Sequence, residues 1–307
     1  MKILVTGGMG FIGSHLAQKL AQAGHQVTVF DQMKRWQLSP QINFIKGDVT
    51  STANVEKAVL GQDGVVHLSA LSKVSVCFER PLECMQVNVL GTMNVLESAR
   101  KSSKNPWVIL TSTRESTSRD VPQAGTTFRK IENLYGISKL VGEMCGERYA
   151  IDYRCRIITL KLSDVYGSQR DNPNKVIAKL IRRALENKDL LIQQGKQLFD
   201  FIHWQDVTEG FLSAIKKIDG FAGHYYNSFA ICSGKKTSLE ELVEIILTET
   251  CSRSRVLYFH LNVPPSKTYF SSPTRATQVL GFKAKISLQE GVRQTVKILN
   301  SSRKNKE

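Results

Sequence analysis

The run Thr6-Gly7-Gly8-Met9-Gly10-Phe11-Ile12-Gly13 limits what this chain can fold into more than any other feature. It follows the short apolar stretch Ile3-Leu4-Val5 and opens a helical pattern from Phe11 to Ala23. Gly7 allows a tight turn, Gly10 lets the backbone approach a pyrophosphate, and Gly13 lets the helix pack close to a sheet. The helix N-terminus then offers N–H groups and a positive dipole end to phosphates. A second apolar strand, Val27-Thr28-Val29-Phe30, ends at Asp31. An acidic residue there accepts the ribose hydroxyls of NAD and repels the extra phosphate of NADP. Lys34 and Arg35 follow closely and are able to hold that phosphate, so NAD is favoured without NADP being excluded. Asp48, after the third strand, can accept from an adenine amino group or serve as a helix N-cap.

The rest of the first half keeps the same rhythm. Strand patterns at Ile42–Ile45, Val65–Leu68, Trp107–Leu110 and Arg156–Leu160 alternate with helical ones near Ala53–Leu60, Pro81–Arg100 and Leu134–Ile151. Such alternation of helices with continuously apolar strands predicts an α/β fold with a parallel sheet covered on both faces. After Tyr166-Gly167 the alternation loosens, and turn residues Asp171-Asn172-Pro173-Asn174 open a further helix. The expected division is a dinucleotide-binding domain over 1–165, joined again by 201–232. A smaller substrate-binding portion over 166–200 and 233–300 would lie across the ligand edge of the sheet, and 301–307 is read as a frayed tail.

Tyr135-Gly136-Ile137-Ser138-Lys139 places a phenol and an amine one helical turn apart. A free tyrosine, with a pKa of about 10, is a poor base at neutral pH. A neighbouring ammonium and a nicotinamide cofactor bring the phenolate into working range, and the lysine can also hold the nicotinamide ribose. A third group should hydrogen-bond the reacting hydroxyl. Thr111-Ser112-Thr113 stands where the strand from Trp107 ends, the edge at which open α/β sheets bind ligands. Thr113 is the first choice for this role and Ser112 the second; the plain alternative is a polar turn.

Composition sets the remaining bounds. The chain has 307 residues and a formal net charge of +15, which favours anionic partners. Lys175, Lys179, Arg182 and Arg183 share one helical face, opposite Ile177, Ile181 and Leu185. That stripe is read as a solvated basic face rather than a nucleic-acid patch. The six cysteines form no C-x-x-C pair and the six histidines no metal pattern, so neither a disulfide scaffold nor a metal site is expected. No apolar run reaches membrane-span length and the N-terminus lacks signal-peptide regions, which places the protein in the cytoplasm.

With these residues assembled, the chain resembles the NAD-dependent epimerase/dehydratase family, the extended short-chain dehydrogenases. The glycine loop through Ser14-His15, Asp48-Val49, His67-Leu68-Ser69-Ala70, Asn88-Val89-Leu90-Gly91-Thr92, the Tyr135–Lys139 segment, Leu162–Gly167 and Asp200–Val207 carry the resemblance. It implies a Rossmann-type doubly wound parallel sheet that holds NAD against Gly7, Gly10, Phe11, Ile12, Gly13, Asp31, Asp48, Val49, Leu68, Ala70, Asn88, Tyr135 and Lys139. The implied chemistry is epimerisation of a nucleotide sugar, at C4. Tyr135 takes a hydroxyl proton as hydride leaves, the keto sugar turns over, and hydride returns to its other face. A homodimer through Pro81–Arg100 and Leu134–Ile151 is implied as well.

Several positions depart from the family pattern. Ser116-Thr117-Ser118 stands where Val-Tyr-Gly is usual, and Asp164 replaces a substrate-contacting Asn. Phe199 replaces a diphosphate-clamping Arg, and Lys267 replaces a later one, with Lys175 and Lys179 as possible helpers. Ser112, Asp164 and Lys267 are the substrate-binding candidates. The rival activity is a nucleotide-sugar 4,6-dehydratase, whose Thr-Asp-Glu segment is Thr113-Arg114-Glu115 here and lacks the Asp. A non-catalytic NAD- or RNA-binding relative is opposed by the complete Thr113, Tyr135 and Lys139 set.

Overall fold

A computed structural model describes residues 1–117, 119–123, 126–193, 197–259 and 271–304. The chain runs β1 (Lys2–Thr6), α1 (Phe11–Gln22), β2 (Gln26–Asp31), β3 (Ile42–Lys46), α2 (Thr52–Val59), β4 (Gly64–His67), α3 (Val74–Glu79) and α4 (Pro81–Met85). A π-helical turn, Gln86–Leu90, leads into α5 (Gly91–Lys101), β5 (Trp107–Thr113), a 3-10 turn (Arg114–Ser116), β6 (Arg119–Gln123), β7 (Thr126–Lys130), α6 (Leu134–Tyr153) and β8 (Arg156–Leu162). Then come β9 (Asp164–Tyr166), α7 (Val176–Leu185), β10 (Leu190–Gln193), β11 (Leu198–Phe199), β12 (Phe201–His203), α8 (Trp204–Asp219) and β13 (Tyr225–Ile231). The last elements are β14 (Thr237–Ser238), α9 (Leu239–Thr250), β15 (Val256–Phe259), α10 (Thr274–Leu280) and α11 (Leu288–Lys304).

Two compact units emerge. The first comprises Met1–Leu162, Thr208–Ile231 and Thr274–Phe282; the second comprises Ser163–Val207, Cys232–Pro273 and Lys283–Glu307. Phe201–His203 belongs to the second unit because β12 pairs in parallel with β9. The Asp200 carbonyl reinforces this, accepting from Asp164 N at 3.0 Å and Ser163 Oγ at 2.6 Å. Helix α11 runs through Lys304, within the stretch read as a tail.

The first unit is built on one seven-stranded parallel sheet, ordered β13-β8-β5-β4-β1-β2-β3. This is the expected Rossmann-type arrangement. Strands β1 and β4 are buried almost throughout, which explains why they read as continuous apolar runs. Trp107 is fully buried, and a Cβ on Gly64 would stand 2.1 Å from its ring, so that glycine makes room for the indole. Helix α6 lies close to the sheet because its inner face is small: a Cβ on Gly146 would come within 2.6 Å of Leu110. The predicted helix over Pro81–Arg100 is interrupted by the π-helical turn at Gln86–Leu90, a feature that often marks functional sites.

The second unit has its own core, in which α7, α9 and α11 pack Ile177, Ile181, Leu242, Ile246 and Val292 together with Tyr166 and Phe201. Helix α7 buries Ile177 and Ile181 as the sequence pattern requires and leaves Lys179 exposed. Among the described residues no helix is long and apolar enough to cross a membrane.

Candidate active site

The glycine loop is shaped for a group that needs bare backbone. Gly7 has φ +66°, and a Cβ there would lie 2.7 Å from Ser69 N. A Cβ on Gly13 would lie 2.3 Å from the Gly7 carbonyl, so the first turn of α1 tolerates no side chain at that point. Gly10 precedes the helix and provides no side-chain cap. The Asp31 carboxylate accepts from Met9 N at 3.0 Å, and Trp36 Nε1 donates to the Met9 carbonyl at 3.0 Å. The far end of β2 and the residues after it therefore hold the loop from both sides of Met9. Phe11 and Ile12 are half-buried in the first helical turn. A bare cradle, a helix N-terminus and an acid at the end of β2 fit a dinucleotide.

Asp48 is not the cap of α2. That role falls to Ser51, whose Oγ accepts from Asn54 N. Asp48 instead accepts from Thr50 N at 2.9 Å, Thr50 Oγ1 at 2.8 Å and Gln32 Nε2 at 3.0 Å. Val49 is buried beneath Gly91, and its carbonyl accepts from Asn94 Nδ2 at 2.9 Å. Leu68 and Ala70 are half-buried after β4.

Tyr135, Lys139 and Thr113 meet through two elements. Asn133 caps α6 by accepting from Gly136 N at 2.8 Å, and a Cβ on Gly136 would stand 2.3 Å from the Glu115 carbonyl. That close approach brings the helix start against the turn after β5 and sets the Tyr135 phenol beside Thr113. Lys139 follows one turn later and is buried. Burial holds the Tyr135 phenol well above its usual range, with Cys77 and Glu115 adding to the effect and the neighbouring Thr113 opposing it. Burial also pushes the Lys139 amine down to about 8, against the attraction of Glu143. Burial therefore favours the neutral phenol.

Behind this pair lies a polar network that sequence reading missed. His67 joins Thr6 Oγ1 at 2.8 Å and Thr92 Oγ1 at 3.1 Å, and Thr92 donates to the Asn88 carbonyl at 2.6 Å. Asn88 sits in the π-helical turn. Its amide accepts from Leu71 N at 2.8 Å and donates to Leu71 O at 3.1 Å and Ser138 Oγ at 2.9 Å. Asn88 thus orders the segment after β4 and links it to α6. Glu143, buried one turn beyond Lys139, accepts from Ser112 Oγ and Ser116 Oγ and pairs with Lys161 at 2.7 Å. The hydroxyl of Ser112 is thereby committed to the interior, on the opposite strand face from Thr113. The recurrence of Tyr135, Lys139 and Glu143 at intervals of four was the available signal for Glu143.

Asp164, Lys175 and Phe199 belong to the second unit. Asp164 lies in β9 of the second unit. Phe199 stacks on Phe201 with ring centroids 5.3 Å apart, so this position serves the second unit's apolar core and supplies no cation. Lys175 pairs with Asp171 at 2.9 Å and donates to the Val165 carbonyl at 2.9 Å, which removes it as a free helper. Lys267 lies outside the described residues.

Comparison with known proteins gives the same picture from independent data. Residues 3–228 match the model of the NAD dependent epimerase/dehydratase family. The chain is 29% identical to UDP-N-acetyl-alpha-D-glucosaminuronate decarboxylase of Bacillus cytotoxicus, covering 96% of both chains. It is 28% identical to human dTDP-D-glucose 4,6-dehydratase, over 96% of this chain and 89% of that one. The crystal structure of UDP-glucose 4-epimerase from Thermotoga maritima, with UDP-glucose, matches with a TM-score of 0.87 and 27% identity, over 98% of this chain and 99% of that one. The relatives thus span three reactions on one scaffold. The family match covers most of the chain and includes the glycine loop, Tyr135 and Lys139, and the protein belongs to the NAD-dependent epimerase/dehydratase family.

Proposed function

We propose that this protein epimerises a nucleotide sugar at C4, with Tyr135 as the proton acceptor, Thr113 as the hydrogen-bond partner of the reacting oxygen, and Lys139 as the cation beside them. The observation that carries the reading is the placement of the Tyr135 phenol beside Thr113, with Lys139 one helical turn behind it. NAD bound along the glycine loop supplies a hydride acceptor and donor. Gly7, Gly10 and Gly13 admit its phosphates, and Asp31 takes its adenine-side ribose. Tyr135 receives the sugar hydroxyl proton and later returns it, while Thr113 keeps the oxygen in line. Lys139 offsets the phenolate charge.

Epimerisation is favoured over dehydration by the surroundings of Glu115. Dehydration needs an acid and a base beside the threonine. The neighbouring residue here is Arg114, 3.7 Å from the Glu115 carboxylate, and Asn133 Nδ2 donates to that carboxylate at 3.0 Å. Glu115 is thus engaged by its neighbours in the protein. The test is incubation with UDP-glucose, UDP-glucuronate and dTDP-glucose, followed by mass spectrometry and NMR. An epimer of unchanged mass is expected; a product lighter by water or by carbon dioxide would overturn the C4-epimerase reading.

The working form is read as a homodimer. Phe78 on α3 and Leu82 on α4 are 84% and 79% exposed, and Ile137, Met144 and Ile151 are exposed on α6. A second copy covering these apolar side chains fits the helix pair expected to form the dimer contact.

A further inference from the structure

Helix α6 carries Tyr135, Lys139 and Glu143 one turn apart, and only the first two have a part in the proposed reaction. Glu143 is 7% exposed. A buried carboxylate costs several kcal/mol unless its charge and lone pairs are met. Here they are met from two strand segments: Lys161 of β8 takes one oxygen at 2.7 Å, and the hydroxyls of Ser112 and Ser116 take the other. An apolar pair of the same volume would fill this space at least as favourably. The charge therefore calls for a second explanation.

Lys139 provides it. Lys139 and Glu143 line one small polar cavity together with His67, Asn88, Thr92, Thr111, Ser112 and Ser138. The Thr111 hydroxyl is buried and has no partner among the described residues. The cavity volume is about 10 Å³, near the smallest space that holds one water. The groups around the Lys139 amine are His67 from β4, Cys77 from α3, Cys84 from α4, and Glu143 from α6 itself. Burial holds His67 neutral, and the two thiols are buried. Glu143 is the one full negative charge in that set, and burial otherwise drives the amine to release its proton.

We propose that the Glu143 carboxylate, clamped by Lys161, Ser112 and Ser116, is a positioning group that keeps Lys139 an ammonium ion and so sets the alkaline boundary of activity. The inference rests on the reading of Tyr135 and Lys139 as the catalytic pair. Lys161 and the two serines hold the carboxylate in place at the cavity it shares with the amine one turn away.

The decisive variant is Glu143→Gln combined with Lys161→Met, which removes the buried anion and its counterion together. Glu143→Gln alone is the second variant, in case the pair leaves the helix poorly packed. The titration of Lys139 is followed in protein labelled with ¹³C at the lysine ε-carbon, with the signal assigned by Lys139→Arg. Both variants should titrate at a midpoint about one pH unit or more below the parent, the scale expected for loss of a nearby opposite charge. The alkaline limb of kcat/KM, measured with the panel sugar the enzyme turns over, should move down by the same amount. Lys161→Arg, which keeps the ion pair, should leave both unmoved. An unchanged Lys139 midpoint in the Gln variants overturns the proposal, even if activity falls. Failure of the catalytic reading is distinguishable, because it appears as a Tyr135→Phe variant that still turns over substrate, whatever the lysine titration shows.

Discussion

Asn133 donates to the Glu115 carboxylate at 3.0 Å while its own carbonyl oxygen accepts from Gly136 N at 2.8 Å. One side chain thus ties the turn after β5 to the first turn of α6. Thr113 precedes that turn and Tyr135 lies inside that helical start, so their mutual geometry depends on Asn133. Asn133→Ala should cost about 1 kcal/mol of stability, the usual worth of an N-cap, and should lower kcat more than its effect on NAD affinity. Chemical denaturation and steady-state kinetics measure the two. A kcat equal to the parent's would show that Thr113 and Tyr135 hold their places without the cap.

Tyr135→Phe removes the proton acceptor and leaves the ring. Turnover should fall by at least about a hundredfold, the low end of a general base's contribution, with the melting temperature and NAD binding close to the parent. Substantial residual turnover would pass the base role to another group, with Glu115, in the turn after Thr113, the first candidate.

Asp31 accepts from Met9 N and stands at the end of β2, where a 2′-phosphate would meet its charge. NAD should therefore bind better than NADP. Asp31→Asn should narrow the gap by roughly tenfold, the scale of one charged hydrogen bond. Titration of both dinucleotides checks this, and a parent protein that prefers NADP would mean that Lys34 or Arg35 dominates.

His67 provides a pH test of the network behind the site. Burial, aided by the Lys139 charge, lowers its pKa from 6.5 to about 3. Between those values the unfolded chain takes up a proton at this histidine and the folded chain does not. The associated stability is complete above pH 6.5 and drains away as the pH falls toward 3. His67→Gln removes that linkage, so urea denaturation should show the parent losing more stability than the variant on acidification. Parallel losses would place the acid sensitivity elsewhere.

The apolar side chains on α3, α4 and α6 give a test of assembly. Phe78→Asp together with Met144→Asp should convert a dimer to a monomer in light scattering, with the glycine loop and Tyr135 untouched. A parent protein that is already monomeric would remove the dimer from the proposal.

Much of this molecule is legible in one dimension. The glycine spacing at residues 7, 10 and 13, the acid at the end of β2, and the Tyr135–Lys139 interval are short-range patterns. A turn, a helix start and a helical face are each determined within a few residues, so local sequence specifies them. The parallel sheet follows for the same reason, because doubly covered strands must be apolar on both faces. Sequence also placed Thr113 at a strand end, where ligands of such sheets bind.

Tertiary structure decided what each polar side chain does with its hydrogen bonds. Ser112 and Thr113 are equivalent candidates as a sequence, but strand alternation turns one toward Glu143 and the other toward Tyr135. Ser51, three residues beyond Asp48, caps α2 because Thr50 and Gln32 take the Asp48 carboxylate. Phe199 stacks on Phe201 where family relatives carry a cation, and Lys175 is spent on Asp171. Each outcome depends on which distant segment arrives beside the residue, and on the cost of burying a charge or hydroxyl without a partner. Composition and spacing contain neither quantity; the fold supplies both.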